Sequence, residues 1–212
     1  MKENKIREQI AELARSLFNR GYTSGGSGNI SVRLTDGFLM TPTGSCMGRL
    51  DPDRISHLDN DGELLNGDKP SKEWLLHKEV YNARSGCGAV VHLHSPQAVA
   101  VSCLKNLDPE QVLPPLTPYY IMRVGQLALL PYYPPGDAEL AQAVGRAAQS
   151  HSSILLAHHG TVVAGKDLED AVYTSEELEE TARLYLLLKD QPYNTLDTPQ
   201  INELKKRFDI VK

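Results

Sequence analysis

The segment GAVVHLHS, residues 88–95, constrains this chain more than any other. It is short and almost wholly apolar apart from two histidines, and so reads as a buried strand. Side chains alternate faces along a strand, which puts His92 and His94 on one side and Leu93 on the other. Two imidazoles therefore point together out of an apolar run. A second run of this kind, SSILLA, ends in His158, His159 and Gly160. Neighbours on an extended chain point to opposite sides, so His158 and His159 do not act alike and one of them is structural.

The remaining periodicity supplies alternating strands and helices. Ile6, Ile10, Leu13, Leu17 and Phe18 share a helix face that ends near Gly21 and releases the glycine-rich loop TSGGSGNIS. SVRL and GFLMTP read as short strands. Asp51 and Pro52 then turn the chain into a polar segment reaching Lys69. Ser71 is a candidate cap for a helix over Lys72–Ala83, with Glu73 in its first turn. Pro96–Cys103 predicts a short helix, whereas PLTPYYIMRV and QLALLPYY are strand-like. Asp137 caps a helix carrying Leu140, Ala141, Val144 and Ala148, and TVVAG adds a strand. Leu168 to Leu188 follows helical spacing throughout. This is an α/β pattern in which periodicity leaves the strand directions open. No linker or repeat interrupts it, and 212 residues suit a single domain spanning 1–212.

Composition narrows the function classes. A net charge of −5 offers no general attraction to nucleic acid or to an anionic membrane, so an anionic substrate has to be captured locally. No segment has the ~20 apolar residues of a membrane span, and the N-terminal region lacks the apolar core of a signal peptide. Cys46, Cys87 and Cys103 are odd in number and lack CxxC spacing, which fits a reducing cytoplasm.

Zinc favours imidazole nitrogen and carboxylate oxygen, and a catalytic site keeps one coordination position open. His92, His94, His159 and Glu73 supply such a donor set. The alternative for the histidines is a satisfied core position. For Glu73 it is a favourable charge at a helix N-terminus. His57, His77 and His151 lie in polar or helical settings without partners and read as exposed or capping. Three segments offer amides, hydroxyls or positive charge to an anion: GGSGN at 25–29, TPTG at 41–44, and Ser71–Lys72 at a helix start. Each by itself can be a mere turn.

Taken in order, GGSGNIS, TPTG, KPSKEWLLH, VVHLHS, HHG and the long terminal helix resemble the class II aldolase and adducin family, over roughly residues 5 to 190. The resemblance implies a three-layer α/β fold whose central, mainly antiparallel sheet is flanked by helices. It also implies one divalent zinc-like metal per chain, with Mn2+ or Co2+ as substitutes, and a homotetramer with active sites between subunits. Carried over by position, His92, His94 and His159 are the metal ligands, and Glu73 is a catalytic carboxylate that also reaches the metal. Gly28, Asn29, Thr43, Gly44, Ser71 and Lys72 match the segments that bind phosphate, and Tyr119 matches a proton donor from an adjacent subunit.

The segments TPTGSC, GDKPSKE, HLHS, LTPY and MRVG point within the family to a branch that decarboxylates a phosphorylated four-carbon 3-oxo sugar acid, giving dihydroxyacetone phosphate and CO2. Sugar-phosphate aldolases commonly carry two serines before the glutamate, where this chain reads Ser71–Lys72–Glu73. An added cation suits a substrate bearing both phosphate and carboxylate. The alternatives are a sugar-phosphate aldolase and, without catalysis, an adducin-like interaction module.

Overall fold

Helix α1 (Glu3–Asn19) buries Ile10, Ala14 and Leu17 on one stripe and ends where Gly21 adopts φ 78°. The amides of Gly21 and Tyr22 bond back to the carbonyls of Phe18 and Leu17, a left-handed stop that glycine enters without a Cβ penalty. The computed structural model describes residues 3–208, so residues 1–2 and 209–212 of the expected 1–212 domain lie outside the described residues.

Eight strands form one sheet in the order β4 (Leu64–Asn66), β3 (Ser56–Asp59), β2 (Gly37–Met40), β1 (Asn29–Arg33), β5 (Ala89–Leu93), β8 (Gly160–Gly165), β7 (Ser153–Leu156), β6 (Leu127–Leu130). Every neighbouring pair is antiparallel except β6 and β7, which run parallel. Helices cover both faces. On one, α1 and α5 (Leu168–Leu188) pack Ile10, Leu17, Ala171 and Val172 against Ile30, Val91 and Leu93. On the other, α2 (Trp74–Ala83) and α4 (Ala138–Ala148) pack Leu76, Val80, Leu140 and Val144 against Phe38, Met40, Val90 and Val162. Each fully buried aliphatic side chain contributes ~1.5–3 kcal/mol, so these two layers hold the sheet between them. A third apolar cluster joins α3 (Pro96–Ser102) to Tyr120, Ile121, Val124, Leu178 and Ala182. This is the mainly antiparallel, helix-flanked architecture that the resemblance implied.

Several local readings differ from the structure. The polar segment after Asp51 contains β3 and β4, which are only 4 and 3 residues long. The strand expected within PLTPYYIMRV is instead a π-helical turn, Tyr120–Val124, because Tyr120, Ile121 and Val124 all turn inward on the third cluster. Helix α2 begins at Trp74, with Glu73 at the cap position. Ser71 does not cap it directly; its hydroxyl accepts from the Glu73 amide at 3.3 Å. A last helix, α6 (Thr198–Arg207), follows a capping box made by Asp197 and Gln200.

Candidate active site

The antiparallel register of the central strands decides what meets at the α2 face. Asn29 of β1 lies opposite His92 of β5, and His92 lies opposite Val162 of β8. Strand alternation therefore gives Asn29, Ser31, Val90, His92 and Val162 a common face, under α2. His94 follows the end of β5 on that same side, and its ring lies 4.9 Å from that of His92. His159 enters from the turn between β7 and β8. There His158 takes up φ 57° and remains exposed, while His159 is buried. A Cβ at Gly160 would stand 2.1 Å from the Leu93 carbonyl, so only glycine lets β8 approach β5 closely enough to bring His159 in.

Four side chains converge here. One donor atom from each of Glu73, His92, His94 and His159 lies within 4.8 Å of the others. The three imidazoles stand nearly edge to face, with centroids 4.7–4.9 Å apart. Glu73 Oε2 is 3.4 Å from His92 Nε2, and Oε1 is 3.3 Å from His159 Nε2. His92 Nδ1 donates to the Thr161 carbonyl at 2.8 Å, which aims Nε2 at the cluster. Two clefts of about 490 and 540 Å3 lie elsewhere and include none of the four residues. Donor chemistry, rather than cavity size, marks the site.

Electrostatics follow from this crowding. Burial opposes charge on Glu73, but the His92 cation and the approach of His159 and Asn29 outweigh it and hold the carboxyl well below the usual carboxylate range. Burial likewise opposes the His92 cation, and Glu73 more than compensates, raising it. Burial, then the neighbouring His92 and His159, push His94 down to about 4; the Lys72 ammonium acts in the same direction.

The residues fit a divalent metal. Among the described residues, buried Glu73 Oε1 and both ring nitrogens of His159 have no hydrogen-bond partner. Leaving such atoms unpaired costs ~1–3 kcal/mol each, and a cation among the four donors satisfies Oε1 and Nε2 together. Three nitrogens and one carboxylate oxygen are also a donor set suited to zinc-type ions.

The three segments read as anion-binding in the sequence are neighbours. The Thr43 amide bonds to the Lys69 carbonyl at 3.0 Å and the Ser71 amide to the Thr41 carbonyl at 3.2 Å, zipping TPTG against KPS. A Cβ at Gly26 would come within 3.5 Å of the Gly44 carbonyl oxygen, so the glycine run lies against the same loop. Thr43, Gly44 and Lys72 are exposed, and Ser71 is buried. Gly28, at φ 76°, has no room for a side chain because a Cβ would meet the His92 carbonyl at 2.9 Å. Asn29 is 3 % exposed, and its amide faces inward between Glu73 and His77. Tyr119 stands at the start of the π-helical turn and is 63 % exposed.

Two histidines expected to be exposed or capping are buried instead. His77 is 0 % exposed and hydrogen-bonded on both ring nitrogens, to Asn29 and Ser31. His57 is 5 % exposed and lies 3.5 Å from both Glu3 and Asp36. The sequence reading puts Asn29 in an anion-binding segment, takes His77 as exposed or capping and does not single out Ser31 or Tyr81, although one signal in α2 could have found two of them. Glu73, His77 and Tyr81 recur every four residues on the buried side of α2, where apolar residues are the rule.

Residues 8–186 match the class II aldolase and adducin N-terminal domain. The chain is 49 % identical over 204 residues to the 3-oxo-tetronate 4-phosphate decarboxylase of Escherichia coli (strain K12), covering 96 % of each. It is 33 % identical over 212 residues to the L-fuculose phosphate aldolase of the same strain, covering 98 % of this chain and 96 % of that one. Among solved structures, YgbL from Escherichia coli superposes with a TM-score of 0.94 at 48 % identity, covering 97 % of this chain and all of that one. With the matched segment spanning the sheet, its helices and all four converging side chains, the chain belongs to the class II aldolase and adducin family.

Proposed function

We propose that this chain is a carbon–carbon lyase that decarboxylates 3-oxo-tetronate 4-phosphate to dihydroxyacetone phosphate and CO2. The observation that carries this reading is the buried Glu73–His92–His94–His159 cluster beside three joined anion-binding loops. The near-full-length relatives named for this reaction supply the substrate.

The metal is zinc, with Mn2+ or Co2+ able to replace it, held by the three histidines with Glu73 in reach. Bound there, it supplies Lewis acidity next to the bond being broken. The chain's own groups do the rest. Backbone amides of Gly28 and Gly44, with the Thr43 and Ser71 hydroxyls, hold the phosphate at the end of the substrate farthest from the carboxylate. Lys72, exposed at the start of α2, meets the substrate's second negative charge. Loss of the C1 carboxylate as CO2 leaves an electron pair at C2, delocalised onto the C3 carbonyl oxygen, and one proton at C2 completes the product. We assign that proton to the Tyr119 phenol of a neighbouring copy, since Tyr119 is 63 % exposed and so open to a second chain. Glu73 Oε1, ionised and without a hydrogen-bond partner among the described residues, is placed to hold the C2 hydroxyl proton while charge builds up and to return it to that oxygen in the product.

The working assembly is a homotetramer with shared sites, the whole chain acts as one domain, and the setting is cytoplasmic. No helix among the described residues is long and apolar enough to cross a membrane.

The test supplies two substrates to one preparation. 3-Oxo-tetronate 4-phosphate should release CO2 and dihydroxyacetone phosphate, and L-fuculose 1-phosphate should be cleaved poorly. The reverse preference would establish the aldolase reading, which the 33 % relative keeps in play.

A further inference from the structure

A continuous buried chain of hydrogen bonds runs from Glu73 into the core beneath α2. Asn29 Nδ2 lies 2.8 Å from Glu73 Oε2, Asn29 Oδ1 lies 2.5 Å from His77 Nε2, and His77 Nδ1 lies 2.7 Å from Ser31 Oγ. Ser31 Oγ is in turn 2.7 Å from the Tyr81 hydroxyl. All five residues are under a tenth exposed, and Ser31 and His77 are 0 % exposed.

The direction of every bond follows from its ends. Ionised Glu73 only accepts, so Asn29 turns its Nδ2 to it and is left with Oδ1, an acceptor, facing His77. His77 Nε2 must therefore carry the hydrogen. Burial pushes His77 down to about 3, so the ring is neutral and Nδ1 accepts from Ser31. The Ser31 oxygen then accepts from Tyr81. Each donor points towards Glu73, and bonds aligned head to tail in a dry interior polarise one another.

Resting on the reading of the cluster as a metal centre, we propose that His77 is a positioning residue for it: acting through Asn29, it fixes which oxygen of Glu73 is occupied. Asn29 takes Oε2, on the His92 side, and so turns the unpartnered Oε1 towards His159. Helix geometry puts His77 one turn beyond Glu73 on the same stripe, and β-sheet register puts Asn29 directly opposite His92. The bridge thus ties the carboxylate to β1, the strand paired with the one that carries the first imidazole ligand. Without it, the carboxylate is free to rotate, and the ligand geometry loses its anchor.

The test uses Co2+ added to metal-free protein, with its dissociation constant measured by chelator competition and its visible d–d absorption as the geometric readout. Neither depends on which substrate the enzyme takes. His77→Leu removes both ring nitrogens and should weaken Co2+ binding ~10–100-fold with an altered spectrum. His77→Gln keeps a donor near the Nε2 position and should restore most of the affinity and the wild-type spectrum. Asn29→Ala deletes the bridge itself without adding bulk and carries the same expectation as His77→Leu, whether or not the latter folds. Wild-type affinity and spectrum in folded Asn29→Ala or His77→Leu would overturn the proposal. So would a His77→Gln protein as impaired as one lacking the bridge. Failure of wild-type protein to bind Co2+ would instead remove the metal-centre reading on which the proposal stands.

Discussion

Strands β1 and β5 present two faces of opposite character, built from alternate residues of the same two short strands. Towards α1 and α5 they offer Ile30, Val91 and Leu93, all 0 % exposed and packed only on apolar neighbours. Towards α2 they offer Asn29, Ser31 and His92, equally withdrawn from water but each bonded to a specific partner. A buried apolar residue gives stability in proportion to its area and tolerates similar shapes. A buried polar residue is stable only with its partner present, so it specifies geometry at the expense of tolerance. Substitutions one residue apart should therefore fail in different currencies, stability on one face and chemistry on the other.

The largest effect is expected from His94→Ala, on the chemical face. Removing an imidazole from a four-donor cluster should abolish stoichiometric metal by elemental analysis and lower kcat/KM by about 10³-fold or more, while the thermal midpoint of metal-free protein hardly moves. Retained metal and activity would mean that the cluster is not the active centre.

Tyr119→Phe comes next. It keeps the ring and deletes the hydroxyl, so proton donation predicts a loss of ~10²–10⁴-fold in rate with metal content and oligomer size unchanged. An exposed tyrosine that only packs predicts near-normal turnover. Mixing inactive Tyr119→Phe chains with inactive His94→Ala chains should regenerate activity if each supplies the half-site the other lacks. Mixed oligomers that stay inactive would argue against a shared site.

Ile30→Ala breaks the apolar face between Asn29 and Ser31. It should lower unfolding stability by ~2–5 kcal/mol through lost packing and a residual cavity, and leave metal stoichiometry intact in the folded fraction. Metal loss without destabilisation would show that the two faces are not separable.

The contrast between faces also explains what was legible in the sequence. Apolar runs such as AVVHL and SILL, and the capped helix after Asp137, announce themselves by periodicity because burial alone dictates them. The cluster residues were legible too, since imidazoles at strand ends are rare enough to stand out. β3 and β4 were not, because SHLD and LLN are too short to show a period. The π-helical turn was misread because YIMRV has strand-like composition, and only the third apolar cluster dictates that it coils. His77 was missed for a different reason. One histidine in a helix carries no sign of burial until Asn29 and Ser31, more than forty residues away, are brought against it. Long-range pairing writes no local pattern.

The smallest effect is expected at Lys72, which belongs to neither buried face. Its side chain is exposed, with its stem close to Gly136, yet its charge reaches His94 at the edge of the cluster. Solvent screens such a cation, so it cannot match the buried donors in strength. It can still hold a second negative charge on a small substrate. Lys72→Ser removes the charge and restores the two-serine pattern of the sugar-phosphate aldolases. For a 3-oxo sugar-acid phosphate we expect about a tenfold rise in KM, a smaller change in kcat, and unaltered metal content, with the wild-type advantage shrinking as salt increases. L-Fuculose 1-phosphate has no carboxylate for Lys72 to meet, so its KM should stay the same or fall. An equal rise for both substrates would assign Lys72 to the phosphate they share. No change for either would leave it a solvated surface cation, and would take away the reason for reading the serine-to-lysine departure as a mark of acid substrates.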